Sequence, residues 1–294
     1  MPSPLYRIAH LGSIAVLAVL LSACTTTTST SQDTPEDASA NAPATSASPA
    51  DYPSGHIHGM SVDPGTNRIL LATHDGLFDV SRSPVQQIGP TIDLMGFTTT
   101  SDGTLYASGH PGPGTELPDP VGLITSTDDG LTWEPVSRQG ETDFHALAAT
   151  QDGLIGHEGR IIISPNGREW TVPADDVPAY TLAGASNRTV LATTEDGPYR
   201  SEDSGTTWTP VPGAPLLMFT TFAGTTAVGV TPDGTVHTSK DAGLTWLEQG
   251  RVQGQPAAIA ADHTADDTHR IWVATDRGIE VSSDNGTTFT PLAP

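Results

Sequence analysis

The stretch Ser201–Trp208, Ser-Glu-Asp-Ser-Gly-Thr-Thr-Trp, is one of five related segments in the chain. Each segment runs from a serine through an aspartate or asparagine and a glycine to an aromatic residue. The other four are Ser126–Trp133, Ser164–Trp170, Ser239–Trp246 and Ser282–Phe289. Their aromatic ends recur about every 40 residues, the period of the four-stranded blades of a β-propeller. The spacing therefore predicts an all-β propeller.

The residue types in these segments suit a tight turn that leads into a strand. An aspartate such as Asp203 can accept hydrogen bonds from backbone N–H groups a few residues further on. The glycine supplies a position with positive φ, and a ring such as that of Trp208 is large enough to pack between neighbouring blades. The repeated aspartates are therefore expected to stabilise turns rather than to act in catalysis.

Short apolar runs between the repeated turns set the number of blades. Runs such as Ile69–Ala72, Val190–Thr193 and Ile271–Ala274 lie between clusters of Gly, Asp and Pro, which is typical of strands. The first strands of successive units begin near His56, Asp93, Asp143, Pro178, Leu216 and Gln255. These units fill the C-terminal part of the chain without a remainder. The sequence therefore predicts a six-bladed β-propeller in residues 56–294.

Residues 1–23 have the pattern of a secretory signal peptide. Arg7 supplies the positive charge, and the apolar run from Leu11 to Leu21 is too short for a typical membrane-spanning helix. The run ends in Leu-Ser-Ala-Cys at residues 21–24, which matches the lipid attachment site of bacterial lipoproteins. We expect Cys24, the only cysteine, to anchor an extracytoplasmic protein to a bacterial cell membrane. The alternative is an ordinary secretory peptide.

Composition divides the remainder into a linker and a domain. Residues 24–55 are rich in Thr, Ser, Ala, Pro and Asp, and they contain few side chains that could form a core, so we expect a disordered linker. The chain has 34 acidic and 12 basic residues and a formal net charge of −22. This charge excludes nucleic acid as an expected partner, and it disfavours anionic lipid and, more weakly, an anionic substrate.

One face of the predicted propeller collects an unusual set of side chains. The first strand of a blade lines the central channel, and its start lies on the same face as the turn between the second and third strands. The predicted strand starts place six residues in one column: His58, Met95, His145, Tyr180, Met218 and Ala257. Residues two positions earlier point to the same side of a strand, and these include His56, Asp93 and Asp143. The turns of the first three units add His74, His110 and His157.

Imidazoles with carboxylates nearby are typical ligands of transition metals. The candidate metal ligands are His56, His58, His74 and His145. Methionine sulfur in the same set would favour copper, whereas histidine with aspartate alone would favour zinc or iron. A broader ligand site is predicted from His110, His157, Tyr180, Met95 and Met218. The alternative is that these methionines and histidines serve packing and turn formation.

The whole of residues 55–294 resembles the BNR/Asp-box β-propellers, a group that includes sialidases. The resemblance rests on the five repeated turns and on the segments His56–Gly59, Ala72–Phe78, Met95–Phe97, Ser108–Pro113 and Asp143–Leu147. These segments are similar to those of bacterial lipoproteins labelled glycosyl hydrolases or sialidase-like. The resemblance implies a cell-surface propeller with a glycan or protein ligand, or one that hydrolyses a glycan.

The resemblance to sialidases does not extend to their catalytic residues. Sialidases use three arginines, a tyrosine paired with a glutamate, and an aspartic acid, and they carry an Arg-Ile-Pro motif. This chain has no such motif, and Tyr180 is the only tyrosine in the column of strand starts. A glycoside hydrolase could instead use Asp93 and Asp143 as acid and base, with Glu116 or Asp119 from the turn after His110 as a further carboxylate.

Three functions therefore remain open from the sequence. The first is a binding propeller with a histidine-rich site that holds a metal or another ligand. The second is a glycoside hydrolase that uses the carboxylates of the same face. The third is a structural scaffold for interactions with other proteins.

Overall fold

The strands of the computed structural model form six separate antiparallel sheets. The structure describes residues 52–53, 55–63, 65–264, 266 and 268–292, all within one unit that covers residues 45–294. The predicted signal peptide, Cys24 and most of the predicted linker lie outside the described residues. In the described part of the chain, no helix is long and apolar enough to cross a bilayer.

The first three blades follow one another along the chain. Blade 1 contains β1 (Ile57–Asp63), β2 (Arg68–Thr73), β3 (Gly76–Asp79) and β4 (Gln86–Ile88). Blade 2 contains β5 (Ile92–Thr99), β6 (Leu105–Pro111), β7 (Leu123–Ser126) and β8 (Glu134–Ser137). Blade 3 contains β9 (Ala146–Thr150), β10 (Gly153–His157) and β11 (Ile161–Ser164). Its fourth position is reduced to one bridge between Ile163 and Thr171, and Pro173, which lacks an N–H, follows this bridge.

The remaining three blades repeat the four-stranded pattern. Blade 4 contains β12 (Thr181–Gly184), β13 (Val190–Thr193), β14 (Tyr199–Ser201) and β15 (Thr209–Pro210). Blade 5 contains β16 (Phe219–Ala223), β17 (Thr226–Val230), β18 (Thr235–Ser239) and β19 (Leu247–Arg251). Blade 6 contains β20 (Pro256–His263), β21 (His269–Thr275), β22 (Gly278–Ser282) and β23 (Thr290–Pro291). The prediction of a six-bladed β-propeller is confirmed.

The innermost strands of successive blades pack side by side and close into a ring. β1 contacts β5, β5 contacts β9, and the series continues through β12, β16 and β20 back to β1. Because each blade consists of consecutive strands, the ring closes through side-chain contacts between blades 6 and 1. Leu71 of blade 1 and Trp272 of blade 6 belong to one buried cluster, and Arg270 Nη1 donates to Asn67 Oδ1 at 2.7 Å.

The repeated turns contain the hydrogen bonds that their residue types predict. Asp203 Oδ1 accepts from the backbone N–H of Thr207 at 2.8 Å, and Asp203 Oδ2 accepts from the Thr207 hydroxyl at 2.7 Å. Ser201 Oγ accepts from the N–H of Gly205 at 2.9 Å. Gly205 has φ of +84°, and a Cβ there would lie 2.9 Å from Ile155 of the preceding blade. The turn therefore requires glycine for its backbone conformation and for its close contact with the neighbouring blade.

The aromatic residues that end these turns pack between blades. Trp208 is 8% exposed and belongs to a cluster with Ile155 of blade 3 and Val190 of blade 4. Its Nε1–H donates to the carbonyl of Gly205 at 3.0 Å. Trp133 is less buried and packs against the cluster shared by blades 1 and 2. The predicted role of these rings between blades is thus seen in the structure.

The two faces of the ring carry different connections. Strands within a blade alternate in direction, so the start of the first strand and the turn between the second and third strands share one face. The repeated turns follow the third strands and lie on the opposite face. We call the first of these the entry face; it carries the starts of β1, β5, β9, β12, β16 and β20. The predicted histidine-rich sector and the repeated turns are therefore on opposite faces.

Tyr52, which precedes the first strand, packs against the propeller. Tyr52 packs against the cluster shared by blades 6 and 1, and burial raises the pKa of its hydroxyl. Tyr52 therefore contributes its ring to the packing between blades 6 and 1.

Candidate functional site

A cavity of about 1170 Å³ opens on the entry face, where the six inner strands begin. All six residues of the predicted column line it: His58, Met95, His145, Tyr180, Met218 and Ala257. His56 and Gln255, each two positions earlier in its blade, line the cavity as well, and so does His157 at the end of β10. The spacing of the strand starts therefore identifies the wall of this cavity.

His58, His74 and Asp93 form a compact group with the ligand types of a metal site. His58 Nε2 lies 3.1 Å from His74 Nε2, and His74 Nδ1 lies 2.7 Å from Asp93 Oδ1. One potential ligand atom from each residue lies within 4.8 Å of the other two. β1 supplies His58, the turn after β2 supplies His74, and β5 supplies Asp93. The group therefore joins blades 1 and 2 at the edge of the cavity.

The hydrogen bonds of His74 determine which of its nitrogens carries a lone pair. If Nδ1–H of neutral His74 donates to Asp93, Nε2 is left as an acceptor. His58 then donates from Nε2–H across the 3.1 Å contact, with the two rings nearly perpendicular at 87°. A carboxylate on the far nitrogen is the usual partner of a metal-bound histidine. Asp93 therefore orients His74 with its free lone pair toward His58.

The surroundings of His58 keep its imidazole neutral. The pKa of His58 is lowered from 6.5 to about 4, chiefly by burial and next by the neighbouring His74. His56 and His145 also lower this pKa, whereas Asp93 raises it. The ring centre of His56 lies 5.4 Å from that of His74. Because metal ions bind the neutral imidazole, His58 is in the metal-binding form at neutral pH.

A second series of polar contacts connects blades 2 and 3. His110 Nδ1 lies 2.7 Å from Asp119 Oδ1, and His110 Nε2 lies 3.3 Å from Asp143 Oδ2. The same oxygen of Asp143 is 3.6 Å from His145 Nε2. Asp119 belongs to the loop of residues 112–122 between β6 and β7, so this loop orients His110 from outside the cavity.

The two outer histidines of this region have opposite charge preferences. The hydrogen bond to Asp119 raises the pKa of His110, and Asp143 raises it further against the effect of burial. Burial lowers the pKa of His157; Asp176 opposes this effect, and His145 adds to it. The two carboxylates therefore stabilise the charged form of His110. Burial in the cavity wall disfavours the charged form of His157.

The structure places the three predicted catalytic carboxylates in different surroundings. Asp93 is paired with His74, and Asp143 lies between two imidazoles. Glu116 is exposed on the loop of residues 112–122 and is not among the residues that line the cavity. Both aspartates of the predicted acid–base pair are thus held by histidines.

Blades 4 to 6 give the cavity an apolar side. Tyr180 and Met218, both predicted ligand-binding residues, line this side with Phe219. The rings of Tyr180 and Phe219 lie 6.2 Å apart, and Gln255 Nε2 is 3.6 Å from Met218 Sδ. Met95 lies on the opposite, histidine-rich side. Both predicted thioethers therefore face the same cavity as His58.

Sequence reasoning did not single out Arg277, which also lines the cavity. It lies in the turn between β21 and β22, the blade 6 counterpart of the turn that contains His74 in blade 1. This correspondence was the signal that could have identified it. Phe219 was also missed, although it directly follows Met218 of the column.

A narrower channel of about 440 Å³ continues along the propeller axis from the cavity. Its wall carries many hydroxyl groups, and Thr99 Oγ1 donates to Ser61 Oγ at 2.9 Å. The Thr220 hydroxyl is buried without a hydrogen-bond partner among the described residues. His58 lines both spaces, so it lies where the cavity and the channel meet.

Comparisons by sequence find no matching protein-family model and no matching curated protein. Structural comparisons do find similar proteins. The GH74 enzyme of Niastella koreensis matches 82% of this chain and 38% of that enzyme, with 15% identity and a TM-score of 0.56. An extracellular domain of a putative hybrid two-component system from B. thetaiotaomicron matches 81% of this chain and 33% of that protein, with 12% identity and a TM-score of 0.53.

Virginiamycin B lyase from Staphylococcus aureus is a third similar structure. The match covers 81% of this chain and 84% of the lyase, with 13% identity and a TM-score of 0.51. The chain thus spans well under half the length of the first two proteins but most of the length of the lyase. These matches show a β-propeller with structural similarity to GH74 glycoside hydrolases.

Proposed function

We propose that the protein is a lipid-anchored, extracytoplasmic propeller that binds one transition-metal ion on its entry face. His58 Nε2 and His74 Nε2 would be the two nitrogen ligands, and Asp93 would orient His74 from its other nitrogen. His56 and His145, the other two predicted ligands, lie outside this compact group; the ring centre of His56 is 5.4 Å from that of His74, and His145 contacts Asp143. The observation that carries the proposal is the 3.1 Å separation between His58 Nε2 and His74 Nε2.

This separation fits two ligands of one ion. At metal–nitrogen distances of about 2.0–2.1 Å and a tetrahedral angle, two nitrogens lie roughly 3.3 Å apart. Binding also requires a lone pair on both nitrogens. His58 can supply one by carrying its proton on Nδ1 instead of Nε2, which leaves the ring neutral. To bind an ion through both Nε2 atoms, the two histidines therefore need only a change of tautomer at His58.

Copper and zinc are the two ions that suit these residues. Imidazole binds both, and carboxylate with imidazole is typical of zinc. Thioether sulfur favours copper in its reduced form. Met95 lines the histidine-rich side of the cavity, whereas Met218 lies on the other side, where its sulfur contacts Gln255. Coordination by Met95 would therefore favour copper, and a site of imidazole and carboxylate alone would favour zinc.

We also propose that Cys24 carries a lipid anchor and that the chain belongs to the BNR/Asp-box propellers. The Leu-Ser-Ala-Cys run at residues 21–24 supports attachment of lipid to Cys24. The serine, aspartate and glycine hydrogen bonds of the repeated turns support membership of the BNR/Asp-box propellers. A lipid anchor would hold the propeller at the surface of a bacterial membrane.

Metal titration of the detergent-solubilised full-length protein tests the metal proposal. We expect one copper or zinc ion per chain by calorimetry, with CuSO₄ and ZnCl₂ as separate probes. Asp93→Asn should lower the affinity by about 10–100-fold, and His58→Ala should lower it further. His237→Ala is the matched control because His237 lies on β18 and does not line the cavity. Equal affinity for His58→Ala and the unchanged protein would refute the proposal.

A hydrolase is the second candidate function, and the contacts of Asp143 favour it. Asp119, His110, Asp143 and His145 form a continuous series of short contacts. Such a series can hold and transfer a proton at the edge of a cavity. Turnover of a glycan panel that is lost in Asp143→Asn but retained in Glu116→Gln would support this function. Absence of turnover across the panel would exclude glycans as its substrates.

A further inference from the structure

The cavity on the entry face is much larger than a metal ion requires. Its volume of about 1170 Å³ slightly exceeds the roughly 300–1,000 Å³ of most small-molecule sites. The histidines that line it come from blades 1 and 3, whereas blades 4 to 6 contribute none of the lining histidines. This second half of the cavity has space and chemistry that the proposed ion does not use.

An aromatic surface is exposed in this second half. Tyr180 is 61% exposed, which is unusual for a large aromatic residue. Its ring lies 6.2 Å from that of Phe219 at an angle of 50°, and both line the cavity. Leu216, in the segment before β16, is 52% exposed. Two adjacent rings with an accessible face are suited to pack against an apolar or aromatic group.

Arg277 adds a cation to the same cavity. Among the described residues, no ion pair or hydrogen bond engages the Arg277 guanidinium, and the residue is exposed. Asp276 is the only carboxylate residue that the structure describes in the cavity lining, and its Oδ1 accepts the backbone N–H of Gln255 at 2.7 Å. A guanidinium binds a carboxylate through two parallel hydrogen bonds. Because Asp276 is engaged by the backbone of Gln255, the Arg277 guanidinium is the group of this half that can pair with an anion, although the chain as a whole has a net charge of −22.

We propose that this half of the cavity binds a small aromatic carboxylate. Its ring would pack on Tyr180 and Phe219, and its carboxylate would pair with Arg277. A sugar, with hydroxyl groups on every side, would find much of the polar wall already engaged. Thr181 bonds to Thr193, the Thr275 hydroxyl donates to the Gly278 carbonyl, and Asp276 accepts from the N–H of Gln255. This binding goes beyond the proposed metal function and does not require the ion.

The test uses metal-free full-length protein in detergent with EDTA, so that its outcome is separate from that of the metal titration. The probes are 3-phenylpropionate, the neutral 3-phenylpropionamide, propionate and cellobiose, measured by calorimetry and ligand-detected NMR. We expect 3-phenylpropionate to bind about tenfold or more tightly than the amide or propionate, since a charge-assisted pair and a packed ring each contribute. Cellobiose should not bind at the same concentrations.

Two variants assign the contacts. Arg277→Gln should remove the preference for the acid over the amide, and Tyr180→Ala should weaken both ligands. Arg168→Gln is the control because Arg168 is exposed in the repeated turn of blade 3, on the other face. Matching circular dichroism and melting temperatures show that the variants are folded. Equal binding of acid and amide, an unchanged preference in Arg277→Gln, or binding of cellobiose alone would overturn the inference.

Discussion

Acidification should destabilise the metal-free propeller through His58. The pKa of this imidazole is lowered from 6.5 to about 4, first by burial and then by His74. Between these two values the unfolded chain binds a proton that the folded chain does not bind, so stability falls as the pH falls through this window. Above pH 6.5 and below pH 4 the contribution no longer changes.

The size of the effect follows from the same shift. A difference of about 2.5 pKa units gives about 2 kcal/mol between pH 7 and pH 5 if no screening is allowed for. His58 is only partly buried, and solvent screening reduces the expected value to about 1 kcal/mol. The loss should appear as a lower free energy of unfolding at pH 5.

Urea unfolding followed by tryptophan fluorescence measures this term when His58→Gln is compared with the unchanged protein. The glutamine cannot be protonated, so the unchanged protein should lose about 1 kcal/mol more than the variant between pH 7 and pH 5. His237→Gln is a poor control because burial also lowers the pKa of His237. Equal losses in the unchanged protein and His58→Gln would refute the reasoning about His58.

Three further outcomes are expected. Trp208→Ala should lower the free energy of unfolding by about 3–5 kcal/mol, because the ring is 8% exposed between blades; a loss below about 1 kcal/mol in urea unfolding would contradict this packing. Cys24→Ser should move the protein from the membrane fraction to the soluble fraction, and unchanged membrane retention would exclude the lipid anchor. Asp119→Asn should lower the pKa of His110, because their hydrogen bond is the main cause of its elevation; an NMR titration with an unchanged His110 pKa would contradict this assignment.

The number of blades and their order could be predicted because both depend on local patterns. Each repeated turn has a serine, an aspartate and a glycine at positions that satisfy its own backbone, so the turn is readable without the rest of the fold. The shortened turn that begins at Ser164 shows the limit of this approach. The fourth strand of blade 3 is reduced to the bridge between Ile163 and Thr171, and the repeat alone did not predict this.

The wall of the cavity could be predicted from equivalent positions in successive blades. His58 and Tyr180 were placed on one wall because each begins an inner strand, and this needs only the repeat and the alternation of side chains in a strand. The pairings of these side chains could not be predicted. The contact between His74 and Asp93 depends on how blades 1 and 2 are rotated against each other, which no local pattern encodes.

The pH response also required the structure. An ordinary histidine changes charge near pH 6.5, so the residue type alone predicts that metal binding weakens as the pH falls through that value. At the junction of the cavity and the channel, burial and the neighbouring His74 lower the pKa of His58 to about 4. The contribution of His58 to metal binding should therefore persist to a lower pH than its residue type alone suggests.

The location of a bound ion tests the central proposal most directly. Crystals of the protein soaked with CuSO₄ or ZnCl₂ can be measured at the absorption edge of the metal, and the anomalous difference map locates the ion. The proposal predicts one peak at about 2.0–2.1 Å from both His58 Nε2 and His74 Nε2. A map with no peak between these nitrogens, or with the ion bound only elsewhere on the propeller, would contradict it.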